Sequence, residues 1–409
     1  MVQLEAIMFN HESGAATNDA LNIRKNASQW VTVPEWQHGI SVNPEQSPAA
    51  YAIKPTQGQT LTIKASLSCT DPAVQTVQVR AVDNVVDPPP PGGCIGWLIA
   101  LIRAVLRALF GNVLGRVKVR TVTFVNGQTG FVPFALVNTK LSSAAVGVHT
   151  TEWRWQYRLS KHRPWTDLEI TRHRIYVVAD TPTAPWQQVP YVQSNTQLPW
   201  TDVLDYACQW GLGATTIDAA AARVTRGVYA LGPGVVTYDC PGGGSSHYSW
   251  GSFDCTAFVE RLKGGIGNGV YVNCSDCATF VSTFANILGA DLWQSRMSGG
   301  SSFGLNPMLG IGSNVWQPCC QGVPGWSGSF SYHEVAWKGA CMENDNVFDG
   351  CLQVDGDSDP TAAPHTALLP IDLRFGNPGD LLYRDRLATP AGRPNCNPNP
   401  SSRTRRVVA

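Results

Sequence analysis

The chain has 409 residues, and its 30 basic and 30 acidic side chains give a formal net charge of zero. Hydrophobic residues make up 43% of the chain, which is enough to fill hydrophobic cores and excludes a disordered protein. No apolar run reaches the roughly 18 residues of a membrane span, so we expect no transmembrane helix. The first residues lack the basic and apolar segments of a secretory signal, so we predict a cytoplasmic protein with mostly reduced cysteines.

The zero net charge is the sum of three unequal segments. Residues 1–185 carry 17 basic and 12 acidic side chains (+5), residues 186–383 carry 7 and 17 (−10), and residues 384–409 carry 6 and 1 (+5). An acidic middle between basic flanks predicts separate domains and argues against a nucleic-acid-binding protein.

Residues 1–180 predict an all-β domain. Residues 152–158 alternate three aromatic side chains with charged or amide ones, which is typical of a strand with one buried face. Other runs are also rich in Val, Thr, Ile and aromatic residues, and they are residues 60–65, 74–82, 118–125, 131–137 and 173–178. This pattern predicts an immunoglobulin-like β-sandwich.

An apolar segment interrupts the predicted sandwich. Residues 94–115 follow a run of prolines and glycines, and their apolar positions suit an amphipathic helix with Arg103 and Arg107 one turn apart. We expect this inserted helix to pack on one of the domains. The alternative is an interfacial helix that docks on a membrane or a partner protein.

The character of the sequence changes after a predicted linker at residues 181–195. Helical patterns cover residues 200–210, 217–231 and 278–288, and strand-like runs cover residues 329–337 and 346–354. These elements predict an α+β domain over residues 196–383. Residues 384–409 are rich in Pro, Asn and Arg, so we predict a basic mobile tail.

Three residues of the α+β domain have the types that nucleophilic cysteine catalysis requires. Cys274 directly precedes an apolar helical segment, where free N–H groups stabilise a thiolate and where the N–H groups of Cys274 and Ser275 could form an oxyanion hole. His333 and Asp349 lie in two strand-like runs. If these strands pair in antiparallel fashion, Asp349 can orient His333 as the base.

The pattern resembles the transglutaminase-like (papain-related) superfamily, in which a Cys at a helix start precedes a His and an Asp on neighbouring strands. The matching residues, within roughly residues 196–375, are Cys274, Asp276, Ala278 and Leu288-Gly289, followed by His333 and Asp349. The resemblance implies a papain/transglutaminase-like fold and a Cys274–His333–Asp349 triad. It also implies acyl transfer from amide bonds through a thioester, without a cofactor, either to water or to an amine.

Two other interpretations stay open. An Asp-Cys-x-x-Phe-Val pattern resembles the NlpC/P60 peptidases, and it would make Cys277 or Cys255 the nucleophile. A cysteine-enzyme fold without activity, used for binding or assembly together with the inserted helix, is the alternative from another class of protein.

Metal sites were weighed as further alternatives. Zinc could use Cys274, Cys277, Cys319, Cys320, His333 and Cys341, and calcium could use the acidic turn at residues 355–359, but both patterns are incomplete. We therefore expect no metal.

The expected substrate is a protein or peptide. Because the −10 segment contains the candidate triad, we expect cationic substrates or amine acceptors. The basic tail is a further candidate occupant of the same cleft.

Overall fold

The computed structural model describes residues 1–11, 19–40, 43–84 and 112–409. The chain forms two compact units, one of Met1–Arg24 and Gln29–Val178 and one of Lys25–Ser28 and Ala179–Ala409. The predicted inserted helix lies outside the described residues except for positions 112–115, which form a turn. Within the described part of the chain, no helix is long and apolar enough to cross a membrane.

The first unit is built mainly of strands. Its elements are β1 (Val2–Met8), β2 (Trp36–Gln37), β3 (Ala49–Ala52), α1 (Ile53–Thr56), β4 (Thr62–Cys69), β5 (Thr76–Asp83), β6 (Arg116–Thr123), β7 (Val132–Val137), β8 (Gly147–Arg158) and β9 (Thr166–Val178). The strands form one nine-stranded sheet in the order β2-β1-β4-β7-β6-β5-β8-β9-β3.

The nine strands differ from the predicted two-sheet sandwich in how the two halves connect. The halves β2-β1-β4-β7 and β6-β5-β8-β9-β3 join through a short pairing of Arg116 with Val137 and of Val117 with Leu136. The result is a single curled sheet. Alternation of apolar and polar residues specifies the buried face of each strand, but it does not specify which strand edges pair.

The core of this unit includes the aromatic strand that the alternation predicted. Trp153 and Trp155 are fully buried on β8. Their indole N–H groups donate to the carbonyl of Gly115 at 2.8 Å and to the hydroxyl of Thr171 at 3.1 Å. Both rings can therefore be buried without an unsatisfied N–H group.

The second unit mixes helices with a small sheet. The helices are α2 (Thr201–Trp210), α3 (Ile217–Tyr229), α4 (Cys255–Leu262), α5 (Cys274–Asn286) and α6 (Tyr383–Leu387). The strands are β10 (Thr237–Tyr238), β11 (Tyr271–Val272), β12 (Trp293–Met297), β13 (Phe303–Gly304), β14 (Leu309–Gly310), β15 (Ser329–Phe330), β16 (His333–Trp337), β17 (Asn346–Phe348), β18 (Leu352–Asp355), β19 (Ala367–Leu368), β20 (Ile371–Arg374) and β21 (Pro398–Thr404). Five of these strands form a sheet in the order β20-β17-β16-β12-β21.

Helix α5 is the central helix of this unit, because all of its residues are buried. Two of its hydroxyl groups donate to carbonyls one turn earlier in the helix, Thr279 to that of Ser275 at 2.7 Å and Ser282 to that of Ala278 at 2.8 Å. This local bonding lets a helix that carries several hydroxyl groups pack on all sides.

The segment predicted to be a mobile basic tail is instead part of this unit. Strand β21 pairs with β12, and Arg406 is only 9% exposed. The Arg406 guanidinium donates to Glu334 Oε1 at 2.6 Å and to Gln294 Oε1 at 2.8 Å. A high content of Arg and Pro therefore does not keep the segment in solvent, because buried acceptors compensate the charge of Arg406.

Candidate active site

Helix α5 begins at Cys274 because its first turn is capped. The Asn273 side chain accepts from the backbone N–H of Asp276 at 3.0 Å, and the Asp276 carboxylate accepts from the backbone N–H of Asn273 at 3.1 Å. This reciprocal capping box defines the helix start. Periodicity alone had suggested that the helix begins at residue 278, one turn later.

Asp276 also binds a neighbouring loop to the helix start. Its Oδ1 accepts from the hydroxyl groups of Ser246 and Ser249 at 2.7 and 2.8 Å and from the N–H of Tyr248 at 2.9 Å. Its Oδ2 accepts from the N–H of His247 at 2.9 Å. One buried carboxylate thus holds residues 246–249 against the first turn of α5, two residues after Cys274.

The cap leaves two backbone donors at the helix start. The N–H groups of Cys274 and Ser275 are the first two of helix α5, and they precede the N–H of Asp276 that the Asn273 side chain uses. The first N–H groups of a helix have no carbonyl partner within it. Both groups are therefore placed to bind an anionic oxygen near Cys274.

His333 and Asp349 form a buried pair. Nε2 of His333 lies 3.1 Å from Oδ2 of Asp349, and both side chains are excluded from solvent. His333 begins β16 and Asp349 directly follows β17, which pairs with β16 in antiparallel fashion. The pairing of these two strands brings together two residues that are sixteen positions apart.

Asp349 is held by further donors. Its Oδ1 accepts from the backbone N–H groups of Cys351 at 2.8 Å and Leu352 at 3.2 Å, and its Oδ2 accepts from the Tyr383 hydroxyl at 2.8 Å. These bonds stabilise the carboxylate in a buried position and fix its orientation toward His333.

The His333 ring is positioned from its other side. Phe330 stacks on it, with ring centroids 5.3 Å apart and planes inclined by 11°.

Gly350 follows Asp349 and lies in close contact with helix α5, because a Cβ at that position would lie 2.7 Å from Cγ2 of Val281. A side chain at Gly350 would therefore displace Asp349 or a helix.

Cys274 is the cysteine that interacts with His333. Burial lowers the pKa of His333, but the Asp349 carboxylate and then the Cys274 thiol raise it to about 10. Nδ1 of His333 is buried and forms no standard hydrogen bond with a described residue. Because Nε2 is bonded to Asp349, Nδ1 is the ring nitrogen that remains for the thiol.

The alternative nucleophiles lie in other surroundings. Cys277 is fully buried beside the thiol of Cys351, and burial raises its pKa. Cys255 begins α4 and is also fully buried, so that desolvation and then the carboxylates of Asp202 and Asp254 raise its pKa well above the usual value. Cys274, by contrast, is among the main groups that raise the pKa of His333. These surroundings favour Cys274 as the nucleophile over Cys277 and Cys255, the candidates of the NlpC/P60-like interpretation.

The structure does not assemble the zinc ligands considered from the sequence. In the described residues, only Cys240, Cys319 and Cys320 bring three ligand atoms to within 4.8 Å of one another. Cys240 and Cys320 form a disulfide, so the expectation of reduced cysteines is wrong for this pair.

At the acidic turn considered for calcium, the side chains of Asp357 and Asp359 each accept from the backbone N–H two residues further on.

An open groove of about 530 Å³ borders the helix start. Asn273 and Ser275, the neighbours of Cys274 in the chain, line it together with Arg296, Tyr332 and Arg406, and we call it the Arg296 groove. Residues 244–246 of a Gly- and Ser-rich loop also line the groove.

Several residues of this region were not found from the sequence. Glu334 is buried, and it accepts from Ser275 Oγ at 2.7 Å and from Arg406 Nη1 at 2.6 Å. Desolvation raises the pKa of Glu334, but Arg406, Ser275 and Arg296 together lower it below the usual value. The sequence carried no signal for Tyr383, and the signal for Glu334 was its position directly after His333. Arg406 belongs to the basic tail that the sequence offered as an occupant of the cleft, and it lines the groove.

Comparisons with known proteins were made for the whole chain. No protein-family model matches it, and no curated protein sequence matches it. Among solved structures, the crystal structure of red sea bream transglutaminase is similar with a TM-score of 0.31 and 13% sequence identity. The similarity covers 77% of this chain and 50% of that chain, so this protein spans about half the length of that structure.

Proposed function

We propose that the protein is a cysteine-dependent acyl-transfer enzyme that cleaves amide bonds of a protein or peptide substrate. The observation that carries the proposal is the contact of Cys274 and Asp349 with the same buried imidazole, that of His333. A thiol at a helix start, a histidine and an orienting carboxylate are together the groups that covalent acyl transfer requires.

In the proposed reaction, His333 holds the proton of the Cys274 thiol on Nδ1, as its raised pKa favours, and Cys274 Sγ forms a bond to the carbonyl carbon of the amide. The N–H groups of Cys274 and Ser275 stabilise the oxyanion, because the first N–H groups of a helix have no carbonyl partner within it. The C–N bond then breaks, and the amine leaves with the proton of Nδ1. A thioester on Cys274 remains.

The second half of the reaction releases the acyl group. A water molecule or an amine attacks the thioester carbonyl and transfers a proton to Nδ1, while the Cys274 sulfur leaves and regains that proton. Water gives a carboxylic acid, as in a protease or amidase, and an amine gives a new amide, as in a transglutaminase. The fold that we propose for residues 196–383 is accordingly papain/transglutaminase-like.

The proposal is tested by mapping thiol reactivity. The protein is treated with iodoacetamide at neutral pH, and mass spectrometry follows the alkylation of each cysteine over time. We expect Cys274 to react fastest, and we expect His333→Ala to slow it at least tenfold. Cys277→Ala is the matched control, because it removes a buried thiol of the same helix without affecting Cys274.

A second measurement follows catalysis itself. The protein is incubated with a casein digest and hydroxylamine, which converts a thioester into a hydroxamate that iron(III) detects. We expect hydroxamate from the wild type and from Cys277→Ala, but none from Cys274→Ala. Uniformly slow thiols and no hydroxamate would contradict the enzyme assignment and favour a binding or assembly module instead.

A further inference from the structure

We propose that the Arg296 groove is a subsite for a carboxylate group of the substrate, recognised by the Arg296 guanidinium. The inference rests on the proposed function, because it names the class of substrate that would reach Cys274. Its three supports are the charge of the groove, the geometry of Arg296 and the position of the groove next to the helix start.

The charge of the groove is opposite in sign to that of the segment around it. Residues 186–383 have a net charge of −10, but none of the residues that line the groove is acidic, and two are arginines. Glu334 lies beneath the groove and is only 1% exposed. The Asp276 carboxylate, bonded to Ser246 and Ser249 of the groove, is also fully buried. The charge exposed at the surface of the groove is therefore that of Arg296, whose side chain is 43% exposed. The local field thus favours an anion, in contrast to the cationic substrate expected from net charge.

The two arginines of the groove, Arg406 and Arg296, differ in their hydrogen bonds and in their exposure. Arg406 donates to both oxygens of Glu334, at 2.6 and 3.2 Å, and also to Thr279 and Gln294, so its donors are directed into the protein. Arg296 contacts Glu334 with Nε at 3.4 Å, and 43% of its side chain is exposed. Neither Nη atom of Arg296 donates to any residue in the described ranges of the chain. Its outer edge is therefore available to a ligand.

The Arg296 guanidinium is also fixed in orientation. It stacks on the Tyr332 ring at 4.3 Å from the centroid, and strand β12 places Arg296 opposite Glu334 on β16. A planar guanidinium held by stacking and by one Nε bond presents its two Nη groups as a preformed fork, and such a fork suits the two oxygens of a carboxylate. The same fork could also bind a phosphate, which the experiment distinguishes.

The groove reaches the reacting centre. Ser275, which follows Cys274, donates its hydroxyl proton to the Glu334 carboxylate that also contacts Arg296. Tyr332 directly precedes His333, and its pKa is raised by burial and then by the Cys274 thiol. A substrate whose amide carbonyl lies at Cys274 can therefore extend an acidic group toward Arg296.

The experiment compares two alkylating reagents that differ in charge. Iodoacetate carries a carboxylate where neutral iodoacetamide carries an amide, and the ratio of their rates at Cys274 is measured relative to the ratio for glutathione. We expect a ratio above that of glutathione in the wild type and a roughly 3- to 10-fold lower ratio in Arg296→Ala. Arg374→Ala is the matched control, since Arg374 has a similarly exposed side chain on β20.

A protection measurement identifies the anion. The α-amides of N-acetylglutamate and N-acetylglutamine, which differ only in a side-chain carboxylate or amide, and inorganic phosphate are each added before iodoacetamide. Protection of Cys274 by the glutamate α-amide alone, lost in Arg296→Ala, supports the carboxylate subsite. Protection by phosphate but not by the glutamate α-amide overturns it, as does an iodoacetate preference that Arg296→Ala leaves unchanged. Rapid iodoacetamide labelling without any anion preference would overturn the subsite and leave the proposed enzyme intact.

Discussion

The Tyr383 hydroxyl donates a 2.8 Å hydrogen bond to Oδ2 of Asp349, the same oxygen that lies 3.1 Å from Nε2 of His333. Both Tyr383 and Asp349 are buried. A tyrosine of the short helix α6 thus shares one carboxylate oxygen with the histidine that faces Cys274. This relation connects the last part of the chain with the candidate active site.

Replacing Tyr383 with Phe removes that donor and leaves the volume nearly unchanged. A hydrogen bond to a charged group contributes about 1.5–3 kcal/mol, so we expect a loss of that size in the free energy of unfolding. Urea denaturation checks it. Tyr271→Phe serves as the control, because Tyr271 is exposed. An equal loss in both variants would show that the Tyr383 hydroxyl contributes nothing specific.

Replacing Asp349 with Asn should lower the pKa of His333. Asp349 is the main group that raises this pKa to about 10 against the effect of burial, and an opposite charge at this distance accounts for roughly 1–3 pH units. Histidine NMR resonances, followed from pH 5 to 11, measure the change. An unchanged titration of His333 would mean that the pair is not electrostatically coupled.

The same pair makes stability depend on pH. The pKa of His333 is raised in the folded state, so its contribution is complete below the unfolded value of 6.5 and is lost as the pH rises toward about 10. We expect the wild type to lose more stability than Asp349→Asn between pH 6.5 and 10. Urea denaturation at several pH values in this window tests the difference, and parallel curves would contradict it.

Replacing Glu334 with Gln should destabilise the second unit. Arg406 would then be a buried cation without its carboxylate, and breaking a buried pair by removing one partner costs roughly 3–5 kcal/mol. The double variant Glu334→Gln, Arg406→Met removes both charges, so we expect it to recover part of the loss. If the double variant loses more free energy of unfolding than the two single variants lose in sum, a direct pairing is contradicted.

Glu35 in the first unit predicts a second pH dependence. Burial raises its pKa to about 7, although the backbone N–H groups of Phe9 and Asn10 oppose the shift. A raised pKa means that the contribution to stability is complete below the unfolded value of 4.5 and is lost as the pH approaches 7.

The size of this effect follows from the shift. A pKa shift from 4.5 to about 7 corresponds to a loss on the order of 3 kcal/mol in the free energy of unfolding between these pH values. Glu35→Gln should remove the slope and also lower stability at pH 4 to 5, because an amide cannot accept from both N–H groups. Thermal unfolding from pH 4 to 8 measures both effects. A slope retained in Glu35→Gln would assign it to another group.

Local patterns in the sequence predicted much of the secondary structure. Alternation of apolar and polar residues predicted the strand that carries Trp153 and Trp155, and helical periodicity predicted most of α5. The start of α5 was assigned less well from periodicity, because the side chains of Asn273 and Asp276 determine it. These features depend on residues a few positions apart, so they can be inferred from sequence without knowledge of the fold.

Sequence patterns alone predict the local elements and a short set of reactive side chains, with Cys274 as the favoured nucleophile and Cys277 and Cys255 as alternatives. Packing adds that Cys274 interacts with the His333 imidazole while Cys277 lies beside Cys351. Packing also makes Arg296 the exposed charge of the groove, because Arg406 reaches Glu334 across 72 positions of the chain. Net charge sums all residues of a segment, whereas the field in a groove depends on the few side chains that packing brings to its surface.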